Sequence, residues 1–203
     1  LEMAGIAVCP ELHKMYQDMG NDENDTGSNN IVALVSSFLF GAKTKDINSN
    51  EYLTAEVLAS AKAYSDQAIV VLSNDVVESS DSSLEALKLT ENRKELICTV
   101  AENFEHVIVI VNVGNATELG IVDEYDSIEA VVWTGIPGTQ GCISLGKVLT
   151  GEINPSGRLV DTYAYDVSSA PASENFGSYK YDNMNGMAFI NYEEGIYVGY
   201  RYY

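Results

Sequence analysis

Basic residues are scarce in this 203-residue chain, which has 11 Lys and Arg against 30 Asp and Glu and a formal charge of -19. Such a charge repels phosphate backbones and anionic lipid headgroups, so we expect neither nucleic acid nor a membrane as a partner. Long hydrophobic runs are missing too, since none approaches the roughly 18 residues of a membrane span. Leu1 does not begin a signal peptide, but a processed N-terminus would hide one, and the compartment stays open.

Cysteine and histidine are also scarce, with three and two residues. Cys9, Cys98 and Cys142 are far apart and form no CxxC pair, which argues against a disulfide framework and a zinc site and predicts small core residues. His13 and His106 do not form a catalytic triad, because His106 directly precedes an apolar run and His13 lies in a polar stretch. The cysteines and histidines therefore indicate neither a zinc site nor a triad.

The clearest pattern in the sequence is a set of three apolar runs rich in β-branched residues, and 46% of all residues are hydrophobic. The runs cover residues 68–72, 107–111 and 130–133. Continuous runs of this kind are typical of parallel strands that are buried on both faces.

Helical patterns alternate with these strands. They cover residues 54–64 and 91–103, with Thr90 as the predicted N-cap, and a further helix is predicted from about Thr139 to Leu149 after a glycine-rich turn. The alternation predicts an α/β fold, a three-layer open sandwich of the flavodoxin or Rossmann kind around a mostly parallel sheet. Residues 31–40 are predicted to be a helix, and residues 20–30 and 168–191 are predicted to be surface loops.

Ligands of an open parallel sheet bind beyond the carboxyl ends of its strands, so three loops are candidate sites. Residues 73–83 carry three carboxylates that suit proton transfer, metal binding or plain solvation. Residues 112–118 offer amides and a hydroxyl that can bind sugar, although capping of the next helix is the favoured role. Residues 135–141 resemble an anion cradle but lack both nucleotide-binding signatures.

Four ordered motifs carry a family resemblance. They are GEINPSGRLVDT at residues 151–162, NVGN with ELG at residues 112–120, WTGIPG with Gly141 at residues 133–141, and YEEGIYVGYRY at residues 192–202. In this order the motifs resemble the C-terminal α/β-sandwich domain of family 3 glycoside hydrolases, β-glucosidases and related exo-glycosidases.

The resemblance implies a retaining mechanism in two parts. A barrel-domain aspartate attacks the anomeric carbon, and a glutamate on a sandwich-domain loop protonates the leaving oxygen and then activates water. That loop typically reads Gly-Glu-Gly-x-Asp and matches Val77-Glu78-Ser79-Ser80-Asp81 here, so Glu78 is the expected acid/base and Asp81 its loop-ordering companion. The partners implied are a carbohydrate substrate and the barrel domain, and the resemblance implies no metal and no organic cofactor.

The resemblance also concerns the extent of the domain. Residues 1–6 resemble a point after the first strand and helix of the sandwich, so we expect one partial domain over residues 1–203, without the barrel and inactive in isolation. Two rival hypotheses remain. One is a non-catalytic carbohydrate-binding or structural domain, because Val77 and Ser79 replace the two glycines. The other is an unrelated α/β domain that binds a small molecule or a nucleotide, which only the loop of residues 135–141 supports. The sequence leaves the sugar specificity open, and it does not decide whether the chain forms a homo-oligomer.

Overall fold

The computed structural model describes residues 1, 4–20, 49–73, 83–175, 179–189, 192 and 194–203. The helix predicted for residues 31–40, most of the polar loop before it, and the loop residues Glu78 and Asp81 lie outside these ranges. The four α-helices of the described part are α1 (Pro10–Gly20), α2 (Ala55–Tyr64), α3 (Glu91–Asn103) and α4 (Gly138–Leu149).

Three parallel strands form the sheet at the centre of the fold. They are β1 (Gln67–Ser73), β2 (His106–Asn112) and β3 (Ile128–Trp133), in the order β1-β2-β3. Each contains one of the three apolar runs, and the register pairs Val70 with Val109 and Val109 with Val131. The described elements thus confirm the predicted α/β class and the parallel sheet.

Helix α3 covers one face of the sheet. Its Ile97 and Val100 share the hydrophobic core with Val70, Val109 and Val111 of the strands. The helix begins at Glu91 because the Thr90 hydroxyl accepts a hydrogen bond from the Arg93 amide at 3.4 Å, as the sequence predicts. The core therefore lies between β1, β2 and α3.

The expected burial on both faces holds for β2 and is wrong for its neighbours. Ile110 of β2 is 3% exposed, whereas Val71 of β1 is 46% exposed and Val131 of β3 is 41% exposed. Strands β1 and β3 are the two edges of the described sheet, so each has a strand on one side only. An apolar run shows that a strand is suited to burial, but it does not show what covers the strand.

The segment of residues 168–191 contains more secondary structure than its composition predicts. Residues 168–191 were expected to be loops, but the chain forms two short 3₁₀ helices and an antiparallel pair, β4 (Tyr179–Lys180) with β5 (Ala188–Phe189). The Phe189 ring packs against the rings of Tyr179 and Tyr181, with centroids 5.3 and 4.5 Å away. Within the described ranges, no helix has both the length and the apolar character needed to cross a bilayer.

Candidate active site

The three strands end at one edge of the sheet, here called the carboxyl edge. Ser73 pairs with Asn112 at the ends of β1 and β2, and Trp133 at the end of β3 pairs with Val111. The loops after these strands begin together because the strands are parallel and in register. The structure thus places the starting points of the three candidate loops at the same edge.

The first loop carries Glu78 and Asp81, both of which lie outside the described residues. Its two ends are described. Ser73 is the last residue of β1, and the Ser83 hydroxyl accepts a hydrogen bond from the Ala86 amide at 3.2 Å, capping the 3₁₀ helix Leu84–Leu87. The residues on either side of this loop are therefore the end of β1, at the carboxyl edge, and a capped helical turn.

The second loop is bonded to that helical turn. The carbonyl oxygen of Leu87 accepts hydrogen bonds from the Thr117 hydroxyl and from the Glu118 amide, both at 2.8 Å. Thr117 is only 4% exposed, so this bond is shielded from water. The contact fixes the segment that follows the Glu78 loop against the segment that follows β2.

The capping role expected for the second loop is wrong. The next helical element, Gly120–Glu124, has Leu119 at its N-cap and no side-chain cap, while the Asn115 amide donates to the Ala116 carbonyl oxygen at 2.7 Å. The Thr117 hydroxyl is instead directed to the Leu87 carbonyl oxygen, to which it donates. The loop connects two parts of the fold instead of starting a helix.

The third loop is held by the backbone and by Trp133. The Thr134 amide donates to the Val111 carbonyl oxygen at 3.0 Å, and the Trp133 indole donates to the Val113 carbonyl oxygen at 2.9 Å. Gly135 has φ +61°, and an added Cβ would lie 3.4 Å from the Trp133 ring, so the turn there favours glycine. Residues 134–138 include no charged side chain that could bind an anion.

The segment with the turn sequence Asn154-Pro155-Ser156-Gly157 returns to the second loop. Arg158 braces the turn, donating to the Gly157 carbonyl oxygen at 3.0 Å. Further on, the Tyr165 hydroxyl donates to Asp123 at 2.5 Å, and the Val167 amide donates to Glu118 at 3.2 Å. The contact with Asp123 raises the pKa of Tyr165.

None of the histidines and cysteines belongs to the three candidate loops. His13 is in α1 beside Gln17, and His106 begins β2 at the opposite, amino edge, as expected. Cys9 is buried and Cys98 half-buried, but Cys142 is exposed on α4, so the prediction of three core thiols is wrong for Cys142. A helical position alone does not tell which face of the helix is covered.

A groove of about 780 Å³ lies on the flank of the fold, between α3 and the 3₁₀ helix Gly120–Glu124. Six carboxylates line it, from Glu91, Glu95, Glu102, Glu118, Asp123 and Glu124. The groove is formed by a helix and a connecting segment, whereas the candidate loops follow the strand ends. It therefore gives the acid/base hypothesis no support.

Comparison with known proteins supplies the family. The family described as "Glycosyl hydrolase family 3 C-terminal domain" matches residues 6–200. A β-glucosidase from Ruminococcus albus is 36% identical over 141 residues, which cover 68% of this chain and 14% of that protein. A β-glucosidase from Schizophyllum commune is 31% identical over 166 residues, which cover 79% of this chain and 82% of that sequence.

The solved structures agree. The structure of a β-glucosidase from Paenibacillus barengoltzii superposes with a TM-score of 0.72 and 31% identity, covering 95% of this chain and 19% of that chain. This chain thus corresponds to less than a fifth of the R. albus and P. barengoltzii proteins. The hypothesis of an unrelated nucleotide-binding domain loses its support, and the chain belongs to glycoside hydrolase family 3, whose C-terminal domain it contains.

Proposed function

We propose that this chain is part of a retaining exo-glycosidase that hydrolyses terminal β-linked glucose or a related sugar. The family match and the β-glucosidase relatives support the reaction class. Retaining cleavage uses two carboxyl groups about 5 to 5.5 Å apart, one as a nucleophile and one as an acid/base. The reaction needs neither a metal ion nor an organic cofactor.

Glu78 is the acid/base in this proposal. The observation that carries it is the position of the two residues that flank its loop, Ser73 at the carboxyl edge and Ser83 at the capped turn. In the first step the Glu78 carboxyl group donates its proton to the leaving glycosidic oxygen. In the second step the Glu78 carboxylate takes a proton from water, which attacks the glycosyl-enzyme intermediate.

The nucleophile is an aspartate of a barrel domain outside these 203 residues. This part of the proposal is supported by the small share of the R. albus and P. barengoltzii proteins that the chain covers, and by apolar side chains exposed between residues 160 and 200. Val160 is 82% exposed, Tyr192 88% and Tyr200 72%. Large exposed apolar side chains are a feature of interaction surfaces, and the barrel is the proposed partner.

The closed site must raise the pKa of Glu78. A carboxyl group that is exposed to water is ionised near neutral pH and cannot serve as an acid. Burial under the barrel, or the charge of the nucleophilic aspartate, disfavours the ionised form and keeps the proton on Glu78. The proposal therefore requires both domains, and the isolated 203-residue chain is expected to be inactive.

Kinetics with aryl β-glucosides of graded leaving-group pKa test the assignment in the complete gene product. Glu78→Ala should lower kcat/KM by about 10²–10⁴-fold for poor leaving groups and much less for activated ones, which need no proton. Glu85→Ala is the matched control, because Glu85 lies just after the same loop and is 78% exposed. Equal losses in the two variants would contradict the proposal.

A non-catalytic domain is the second candidate. Its motivation is the pair Val77 and Ser79, which flank Glu78 where the family pattern has glycines and which restrict the backbone of the loop. This candidate predicts that Glu78→Ala has wild-type kinetics on every leaving group, while truncation of the domain abolishes folding or sugar binding. Hydrolysis by the isolated chain would contradict both candidates.

A further inference from the structure

The amino edge of the sheet, opposite to the carboxyl edge, gathers three side chains that can bind a metal ion. Asp66 directly precedes β1, Glu105 directly precedes β2, and His106 is the first residue of β2. The amides of Glu105 and His106 both donate to the Asp66 carbonyl oxygen, at 3.1 and 3.2 Å. Parallel pairing thus places the three residues side by side on a backbone that is fixed by hydrogen bonds.

Their ligand atoms already converge. One carboxylate oxygen of Asp66, one of Glu105 and a ring nitrogen of His106 all lie within 4.8 Å of one another. Metal-ligand distances of about 2.0 to 2.2 Å place neighbouring ligand atoms somewhat closer than this. All three residues are exposed, so small rotations of their side chains can complete the approach and water can occupy the remaining positions.

Glu129 of β3 orients the imidazole. Its carboxylate lies 2.7 Å from Nδ1 of His106, and because an ionised carboxylate only accepts hydrogen bonds, Nδ1 is the donor. The neutral ring then has its lone pair on Nε2. A carboxylate that accepts from one ring nitrogen is the usual support for a histidine that binds metal through the other.

The backbone of β3 directs Glu129 towards this position. Ile128 pairs with Val107 and Ala130 pairs with Ile108, so Glu129 is the extra residue of a bulge in the β2-β3 ladder. A bulge redirects a side chain that the regular alternation of a strand would place elsewhere. Glu129 is therefore held beside His106 by the irregular register of β3 as well as by its hydrogen bond.

Charge at this cluster favours a cation. The carboxylates of Asp66, Glu105 and Glu129 lie around the His106 ring. Three carboxylates around one imidazole repel one another, and a divalent ion relieves that repulsion. A mixed imidazole and carboxylate set suits zinc and similar transition metals better than magnesium or calcium, which prefer oxygen ligands alone.

We propose that Asp66, Glu105 and His106 form a surface site for a divalent transition-metal ion of the zinc type, with Glu129 orienting the histidine. The ion joins the amino ends of β1 and β2 and has a structural role. It is separate from the proposed glycosidase chemistry, which needs no metal. The sequence predicts no metal because Asp66 and His106 are 40 positions apart and only strand pairing brings them together.

Zinc titration of the complete, metal-stripped gene product tests the site by calorimetry. Wild type should bind about one equivalent more than His106→Ala, Asp66→Asn should weaken that equivalent at least tenfold, and Glu129→Gln should weaken it about 10-fold to 100-fold. His13→Ala is the matched control, because His13 is the other histidine and lies in α1 beside Gln17.

Two further measurements accompany the titration. Circular dichroism of each variant shows that it is folded, and Asp66→Asn replaces His106→Ala as the decisive variant if the latter unfolds. Co²⁺ in place of Zn²⁺ should give a visible absorption band in wild type and His13→Ala that is absent from Asp66→Asn. Identical isotherms and spectra for wild type and Asp66→Asn would overturn the proposal, whatever the outcome for Glu78.

Discussion

The Thr117 hydroxyl donates a hydrogen bond to the Leu87 carbonyl oxygen at 2.8 Å, joining two segments that are 30 positions apart in the sequence. Leu87 ends the helical turn after the Glu78 loop, and Thr117 belongs to the loop after β2. The bond ties the turn that follows the candidate acid/base loop to the segment after β2. The following prediction depends on this tie.

Thr117→Val removes the hydroxyl but keeps a similar shape. The variant should lose about 0.5 to 1.5 kcal/mol of unfolding free energy, because the Leu87 carbonyl oxygen keeps only its bond from the Glu118 amide. Urea unfolding of the complete gene product measures the change. Thr150→Val is the control, since the exposed Thr150 hydroxyl donates to the Lys147 carbonyl oxygen and its loss should change stability by less than about 0.5 kcal/mol.

Gly120 lies against the backbone of the tail segment. A Cβ added there would approach the carbonyl oxygen of Tyr165 to 2.9 Å and its Cα to 3.0 Å, so Gly120→Ala must displace backbone and should cost about 1 to 3 kcal/mol. At Gly157, by contrast, an added Cβ meets no atom within 4 Å. Gly157→Ala should therefore be neutral or slightly stabilising in the same unfolding experiment, and equal losses would contradict this account of the packing.

Asp166 contributes stability that depends on pH. Hydrogen bonds from the Ser168 hydroxyl and amide, with a smaller effect of Lys88, lower the pKa of Asp166. A lowered folded-state pKa means that the stabilisation is present above the unfolded value, about 3.9, and is lost as pH falls through the folded-state pKa.

Ser168→Ala tests this dependence. The variant should lower the melting temperature at about pH 6, and the difference from wild type should shrink as the pH is lowered towards about 3. Ser173→Ala is the control, because the Ser173 hydroxyl donates to the Val167 carbonyl oxygen and to no carboxylate. A melting-temperature difference for Ser168→Ala that does not vary with pH would show that Asp166 is not the group responsible.

Elements with local determinants were predictable from the sequence. Helix α3 has the predicted bounds, residues 91–103, because an apolar pattern and the Thr90 cap fix it locally. The strands follow their apolar runs for the same reason. The pair β4 and β5 was not predictable, because its two-residue strands depend on contacts of Phe189 with Tyr179 and Tyr181 rather than on a pattern along the chain.

In the candidate site, too, some features have local sequence signals and others depend on long-range contacts. Sequence alone predicted the three loops at one edge, because parallel strands all end there. It did not predict the role of Thr117, whose partner Leu87 is remote in the sequence, or the cluster of Asp66 and His106, which strand pairing assembles. Long-range contacts of this kind have no local signal in the residue pattern.

The central claim, that Glu78 is the acid/base, is tested most directly by azide. With an activated aryl β-glucoside, the Glu78→Ala variant of the complete gene product should still form the glycosyl-enzyme, but its hydrolysis lacks a general base. Azide needs no base, so it should restore turnover several-fold or more and yield β-glucosyl azide with retained configuration. Glucose as the sole product, at a rate that azide does not change, would contradict the role of Glu78.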